Sequence, residues 1–165
     1  MKQILASLFF ISLMLSSSVY GSSVDALTLK ANFVVKFIPF IEFPIKLKEY
    51  RVGFIGKPER FKEFGQAFEG KSHAKVKFVV TNLDSKSDLS KVDILFIDAN
   101  QFPPHLTNVM ALIISDEENG LEKGAIINFQ MADELIKFEI NQLKSLEYGY
   151  KISSRLLNLA KRVVQ

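Results

Sequence analysis

The sequence predicts an α/β fold: a three-layer α/β/α sandwich with a mixed, mostly parallel sheet and a C-terminal hairpin followed by helices. Two short, continuous apolar runs over 94–97 and 111–114 are typical of central strands that are covered on both faces. Helical patterns alternate with strand patterns along the chain, and two strand patterns near the C-terminus follow each other directly. Strands interleaved with helices, and then a hairpin, favour this sandwich.

Composition describes one globular domain. The chain has 165 residues, of which 48% are hydrophobic and 24% are charged, as in ordinary globular proteins. The 21 Lys and Arg residues barely exceed the 18 Asp and Glu residues and are scattered along the chain, so we expect no binding to nucleic acid. The sequence has no Cys, which excludes disulfides, thiolate nucleophiles and zinc ribbons.

Residues 1–21 have the layout of a secretory signal peptide. Lys2 is the only charged residue before Asp25, and an apolar run over 4–15 follows it. That run would span about 18 Å as a helix, which is shorter than a bilayer core of about 30 Å. Val19 and Gly21 supply small residues at the −3 and −1 positions, so we expect cleavage after Gly21. The alternative is a buried N-terminal helix, which would show polar residues at helical spacing.

The mature domain, 22–165, is predicted to begin with a helix over 24–43. One face of this helix carries apolar residues at helical spacing, namely Leu27, Ala31, Val34, Ile38 and Ile41. A second face carries Phe33, Phe37 and Phe40. A helix that is apolar on both faces is expected to be buried on two sides, by its own domain and by a partner. Pro39 should bend the helix about one turn before its end.

Alternating strands and helices are predicted in the middle of the chain. The elements that flank the two central strands are a buried strand over 50–55, an amphipathic helix over 60–68 ended by Gly70, a half-buried strand over 75–80 and a helical turn over 102–108.

The C-terminal part is predicted to contain a hairpin and two helices. Strand patterns over 125–130 and 135–140 form the hairpin, and residues 141–147 form the first helix, which Gly149 ends. Ser153 or Ser154 is expected to cap the last helix. Its apolar stripe would consist of Ile152, Leu156, Leu159, Ala160 and Val163.

Residues 65–72 match the nucleotide-binding P-loop pattern G-x-x-x-x-G-K-S letter for letter. A functional P-loop follows a strand and opens a helix, so that backbone N–H groups surround the phosphates. Here a helical pattern precedes the motif and a strand pattern follows it. We therefore interpret it as a helix that ends in glycine and expect no nucleotide hydrolysis.

No catalytic or metal-binding constellation stands out. His73 and His105 lie far apart and have no ligand spacing to support them. The acidic run over 116–118 lacks the alternating oxygen ligands of a calcium loop, which favours a solvated turn. There is no G-x-S-x-G nucleophile elbow. We therefore expect no enzymatic activity, no metal site and no cofactor.

Polar residues at the predicted strand ends form a candidate ligand pocket. In open α/β sheets, ligands tend to bind beyond the carboxyl ends of parallel strands. The residues at those positions are Lys57, Asp98, Asn100, Ser115 and Asp116. The alternative is that they are polar strand ends exposed to solvent.

Two segments carry a family resemblance. Residues 30–44 resemble the opening helix of the YfiR-like family, an A-x-F-x-x-x-F run that ends in E-W-P, with Phe43 in place of the Trp. Residues 149–161 are similar to the family's G-x-K-I-S-S-x-L-L-x-L-A ending. The intervening segments 92–97, 114–116, 124–129 and 137–141 follow the family order, with Asp93 where Cys-His is frequent.

The resemblance implies a periplasmic α/β protein, often a homodimer. Such proteins repress a membrane-bound diguanylate cyclase by engaging its periplasmic part, and they lower cyclic-di-GMP signalling and biofilm formation. An OmpA-like outer-membrane lipoprotein can sequester the repressor. The family often carries disulfides, so the lack of Cys in this chain argues against redox control.

Two hypotheses of function remain open at the sequence level. The first is a repressor that acts by protein contact, with Phe33, Phe37 and Phe40 binding the cyclase or a second copy. The alternative for these three residues is that they pack under the C-terminal helix. The second hypothesis is a periplasmic sensor that binds a small molecule at the strand ends. Both can hold if a ligand shifts the repressing state.

Overall fold

The structure is a computed structural model that describes residues 25–84, 86–104, 106, 109–132 and 135–165. The predicted signal peptide, His105 and residues 133 and 134 of the predicted hairpin connection lie outside the described residues. No helix in the described part of the chain is both long enough and apolar enough to cross a bilayer.

Helices and strands alternate through most of the domain. The α-helices are α1 (Ala26–Phe37), α2 (Pro58–Gln66), α3 (Gly120–Lys123), α4 (Gln142–Glu147) and α5 (Ser154–Leu157), and short 3-10 helices cover Ile38–Phe40 and Leu89–Lys91. The strands are β1 (Ile41–Glu42), β2 (Tyr50–Ile55), β3 (Ser72–His73), β4 (Val76–Leu83), β5 (Ile94–Ile97), β6 (Leu112–Ser115), β7 (Ile127–Ala132), β8 (Leu135–Asn141), β9 (Lys151–Ile152) and β10 (Arg162–Val164).

Eight strands form one mixed sheet in the order β10-β8-β7-β6-β5-β2-β4-β3. Strands β4, β2, β5, β6 and β7 are mutually parallel, whereas β7 pairs antiparallel with β8 and β3 pairs antiparallel with β4. Strands β1 and β9 form a separate antiparallel ribbon. The predicted α/β fold with a mixed, mostly parallel sheet and a C-terminal hairpin is confirmed.

Apolar residues cover both faces of this sheet, which explains the continuous apolar runs. Along β5, Ile94 and Phe96 face the core beneath α1 and α2, while Leu95 and Ile97 face the opposite core, as the two-residue period of a strand requires. The second core is closed by α3 and by the loop that follows β5. The described residues of the predicted helical turn over 102–108 are not helical, so that prediction is wrong for them.

The first helix is shorter than predicted. It ends at Phe37, and a 3-10 turn over Ile38–Phe40 leads into β1. Pro39 has no N–H to donate and its ring crowds the preceding turn, so the α-helical ladder does not continue. The Ile41 N–H instead bonds to the Ile38 carbonyl, and Ile41 is extended.

The predicted last helix is also wrong beyond its first turn. Ser153 caps α5 as expected, because its side chain accepts a hydrogen bond from the Leu156 N–H. The chain then forms β10, which pairs parallel with β8. The Lys161 N–H donates to the Phe138 carbonyl over 2.8 Å, so the open edge of β8 draws the C-terminus into the sheet. Leu159, a member of the predicted stripe, is 72% exposed.

Candidate functional site

The carboxyl ends of β5 and β6 lie next to each other at one edge of the sheet. The Asp116 N–H, which follows β6, donates to the carbonyl of Ile97 at the end of β5 over 3.0 Å. The Asp98 N–H donates in the same way to the carbonyl of Ile55 at the end of β2 over 2.8 Å. Three of the predicted strand ends therefore meet, as the parallel topology requires.

Two ion pairs connect the α-helices to this edge. Lys30 of α1 pairs with Asp116, and Arg60 of α2 pairs with Asp98 through an Nε to Oδ2 distance of 2.7 Å. The Lys30 and Asp98 side chains are only 5% and 4% exposed. Two of the predicted pocket residues are thus engaged by cations from the chain itself.

The charges of Lys30, Arg60, Asp98 and Asp116 interact electrostatically. Burial raises the pKa of Asp116, and the charge of Asp98 raises it further. The hydrogen bond and charge of Lys30, together with the charge of Arg60, oppose that rise. The cluster contains two cations and two carboxylates, so its formal charge is balanced internally. It holds α1 and α2 against the sheet, which is a structural role.

Ser115 belongs to a separate buried hydrogen-bond network. Its hydroxyl donates to Asn128 Oδ1 over 2.6 Å, and Asn128 Nδ2 donates to the Glu117 carbonyl over 3.0 Å. A Cβ at Gly120 would lie 2.3 Å from Ser115 Oγ, so only glycine fits beside the network. The acidic residue Glu117 is paired with Lys123 at 2.8 Å. These contacts fix the turn after β6.

The remaining predicted pocket residues, Lys57 and Asn100, are exposed. A cavity of about 530 Å³ does lie at the strand ends, but it is next to β2 and β4. Its lining residues, none of which is among the predicted pocket residues, are Ile55, Gly56, Pro58, Asn82, Leu83, Asp84, Ser87 and Gln101.

The predicted strand over 75–80 ends at Val80, whereas β4 continues to Leu83. The β-branched run over 79–81 is the signal for the longer strand.

The three phenylalanines of the first helix have different environments. Phe37 is 5% exposed and its ring stacks on Phe129, with centroids 5.9 Å apart. Phe33 is half-buried and lies 6.2 Å from the Phe129 ring. Phe40 is half-buried in the 3-10 turn. The central ring is therefore in the core, where it contacts Phe129 of β7 and Phe138 of β8 and shares a buried cluster with Leu156 of α5.

The end of the first helix contacts the C-terminal segment. In the β1–β9 ribbon, Ile41 pairs with Ile152, and the Ser153 N–H donates to the Phe40 carbonyl over 2.9 Å. Glu42 and Lys151 form an exposed ion pair of 2.9 Å across the ribbon. An open groove of about 320 Å³ runs along this ribbon beside Phe40.

The P-loop-like motif has the inverted context that the sequence predicts. Helix α2 ends at Gln66, and the chain turns before the short strand Ser72–His73. Lys71 is exposed, and its ammonium donates to Asn32 Oδ1 over 3.3 Å. The motif therefore follows a helix instead of opening one, so its N–H groups lack the arrangement that surrounds phosphate.

Sequence comparison decides the family. A model of the YfiR/HmsC-like family matches residues 27–161, which is nearly all of the described domain. The chain belongs to the YfiR/HmsC-like family. This family is one of periplasmic regulatory proteins. No curated protein sequence matches the chain significantly.

Solved structures share the fold at low identity. A Streptococcus pneumoniae ABC domain in complex with L-Trp superposes with a TM-score of 0.56 and 13% identity, covering 81% of this chain and 60% of that one. A conserved domain protein from Vibrio cholerae gives a TM-score of 0.55 and 11% identity, covering 84% of this chain and 60% of that one. The chain thus spans about three fifths of each protein, and these likenesses describe the α/β fold alone.

The β1–β9 ribbon joins the two segments of the chain that carry the family resemblance. The two segments that most resemble YfiR-like proteins, 30–44 and 149–161, are far apart in sequence and adjacent in space. Tyr150 anchors the second segment, because its hydroxyl donates to the Met110 carbonyl over 2.8 Å. Asp93 forms an ion pair with Arg51 at 2.7 Å, which joins the start of β5 to β2.

Proposed function

We propose that this protein, as a mature domain over 22–165, represses an inner-membrane diguanylate cyclase by binding its periplasmic part. Repression lowers cyclic-di-GMP signalling and biofilm formation. The observation that carries the proposal is the family match over residues 27–161. The charged groups Lys30, Asp116, Arg60 and Asp98 at the sheet edge pair with one another, which disfavours the alternative of a ligand bound by Asp98 and Asp116.

The exposed flank of α1 is the surface that we propose for this contact. Leu29 is 42% exposed, and Phe33 and Phe40 are half-buried. Burying the exposed parts of such side chains against a partner stabilises the complex by about 25 cal/mol for each Å² of apolar surface removed from water. Phe37 supports this surface from the core. The partner on this flank is the cyclase, and a second copy would make the homodimer that is frequent in the family. An OmpA-like lipoprotein that sequesters the repressor would relieve repression.

A binding measurement tests the proposed contact. The purified mature protein should bind the purified periplasmic part of the cyclase, measured by calorimetry, and Phe33→Ser should weaken that binding. Leu159→Ser is the matched control, because Leu159 is 72% exposed and lies near the C-terminus. Equal affinities for the two variants would contradict the α1 surface, and the absence of binding in the wild type would contradict the proposal.

Export is part of the same proposal. The mature chain should begin at Ser22 after cleavage behind Gly21, as the sequence pattern over 1–21 predicts. Mass spectrometry of the protein from fractionated cells measures its N-terminus directly. Recovery of the intact Met1 form from the cytoplasm would contradict export.

A small-molecule sensor is the second candidate function. It is favoured by the cavity of about 530 Å³ at the ends of β2 and β4, where Asn82, Asp84 and Gln101 offer polar groups. Thermal shift assays with amino acids and other small polar metabolites test it. A shift that Asp84→Asn reduces would support a ligand in this cavity, and a shift that persists in the variant would place the ligand elsewhere.

A further inference from the structure

An open groove of about 910 Å³ runs between α2, the turn that follows it and β4. Its apolar lining comes from α2, that turn and β4, and consists of Phe61, Phe68, Phe78 and Val80. Residues of the P-loop-like motif over 65–72 form part of the groove, and its lining includes no residue of the β1–β9 ribbon or of the α1 flank that the proposed contact uses. An aromatic lining at the surface is typical of a site that binds another molecule.

The rim of this groove is basic. Four exposed lysines line it, namely Lys62, Lys71, Lys75 and Lys77. Glu69 is the one acidic residue among the described lining residues. In the part of the chain that the structure describes, none of the four lysines forms a salt bridge. This concentration of positive charge favours an acidic partner.

The outer edge of β4 is open along the groove. On one side, β4 pairs with β2 from Phe78 to Leu83. On the other side, β3 pairs only with Val76 and Lys77. Within the described residues, the segment 78–83 therefore has no strand on its outer side. Such an edge presents unpaired backbone N–H and C=O groups to an incoming strand.

We propose that this groove binds an extended, acidic segment of another protein, which adds as a strand to the outer edge of β4. Backbone hydrogen bonds to 78–83 would hold the segment, as in other cases of strand addition. Alternate apolar side chains of the segment would cover Phe61 and Phe78, which are half-buried, and its carboxylates would contact Lys71 and Lys75. The inference concerns a second surface and does not depend on the contact proposed for α1.

Edge protection and self-association account for these features less well. Lysines alone protect an edge strand from aggregation, but protection does not require the aromatic lining beside the edge. A second copy of this chain would pair β4 with β4 antiparallel about a two-fold axis, which places the basic rims of the two copies at opposite ends of the paired strands. Such a pair would leave most of the lysine charge unmatched, whereas an acidic partner neutralises it.

A pair of synthetic peptides tests the proposal on the full mature chain. The probe is a capped peptide that alternates Val and Glu over about the eight-residue length of β4, and the control alternates Val and Lys. We expect the acidic peptide to bind at least about ten-fold more tightly by calorimetry, with an affinity that falls as salt rises. It should also slow hydrogen exchange of the amides over 78–83.

Charge-reversal variants test whether the lysines at the rim of the groove bind the acidic peptide. The Lys71→Glu/Lys75→Glu double variant should weaken binding of the acidic peptide by about ten-fold or more. The matched control is Lys137→Glu/Lys161→Glu, which changes two exposed lysines near the opposite end of the sheet and should leave the affinity unchanged. Circular dichroism of both variants confirms that they fold.

Three results would overturn the proposal. One is equal binding of the acidic and basic peptides, or no binding of either. Another is protection from hydrogen exchange that excludes the segment 78–83. The third is a dimer without peptide that protects 78–83 at high protein concentration, which would assign the edge to a second copy.

Discussion

The ring of Phe37 packs against that of Phe138, with centroids 4.8 Å apart and planes inclined by 50°. This contact joins the end of α1 to β8, and the stack on Phe129 joins it to β7. One residue of the aromatic face therefore stabilises the fold of the single chain. Phe33 and Phe40, on either side of it, remain available at the surface.

Phe37→Ala should destabilise the folded chain by about 3–5 kcal/mol, because it leaves a cavity among buried aromatic rings. Phe40→Ala is the control and should cost much less, because Phe40 is half-buried. Urea unfolding of the isolated mature proteins measures both free energies. Equal stability of Phe37→Ala and the wild type would show that Phe37 is not a core residue.

Lys30→Met should cost about 3–5 kcal/mol near neutral pH, because it leaves the Asp116 carboxylate without its buried partner. Lys151→Met breaks the exposed pair with Glu42 and should cost at most about 1 kcal/mol. Urea unfolding at about pH 7.5 compares the two. A Lys30→Met variant as stable as Lys151→Met would show that the buried pair contributes little.

The same variant has a predicted pH dependence. Burial holds the folded-state pKa of Asp116 above its unfolded value. The protonated carboxyl of Asp116 therefore contributes its full stabilising effect at pH values below the unfolded pKa. That effect is lost as pH rises through the folded pKa. Lys30 lowers the pKa of Asp116, and its removal raises the folded pKa further. The deficit of Lys30→Met relative to wild type should therefore be larger at about pH 7.5 than at about pH 4. An equal deficit at both pH values would contradict this.

Tyr150→Phe should cost about 0.5–1.5 kcal/mol at neutral pH, because the Met110 carbonyl loses its donor. Burial, followed by the charge of Asp93, raises the pKa of Tyr150 above its usual value. Its stabilising effect is full below the unfolded pKa of about 10 and is lost as pH rises above it. Between about pH 8 and about pH 10.5, the free energy of unfolding should decline less for Tyr150→Phe than for Tyr148→Phe. Equal declines in the unfolding free energy of the two variants would contradict a raised pKa of the buried Tyr150 hydroxyl.

The sequence predicts the strands well where local pattern and burial agree. The run Ile94–Ile97 is a strand at the predicted bounds, because both of its faces are covered by apolar residues. Asn141 begins α4 as a cap, and Gly149 ends it with a φ of 79°. These features depend on neighbouring residues, so the sequence contains the needed signal.

Predictions fail where distant residues decide the outcome. The stripe that includes Leu156 and Val163 suits a helix, but the open edge of β8 provides a backbone partner that the local pattern does not reveal. Likewise, the sequence places Asp116 at a strand end but does not reveal its ion-pair partner Lys30, which is 86 positions away. Local periodicity cannot show which helix will bring a cation to a strand end.

The level of cyclic-di-GMP in cells tests the proposed repression most directly. The comparison needs a strain that lacks the gene, the same strain with the full chain restored, and the same strain with a version that lacks residues 1–21. We expect the deletion to raise cyclic-di-GMP, the full chain to lower it again, and the version without the leader to have no effect. Unchanged cyclic-di-GMP in the deletion strain, or full restoration by the leaderless version, would contradict the account.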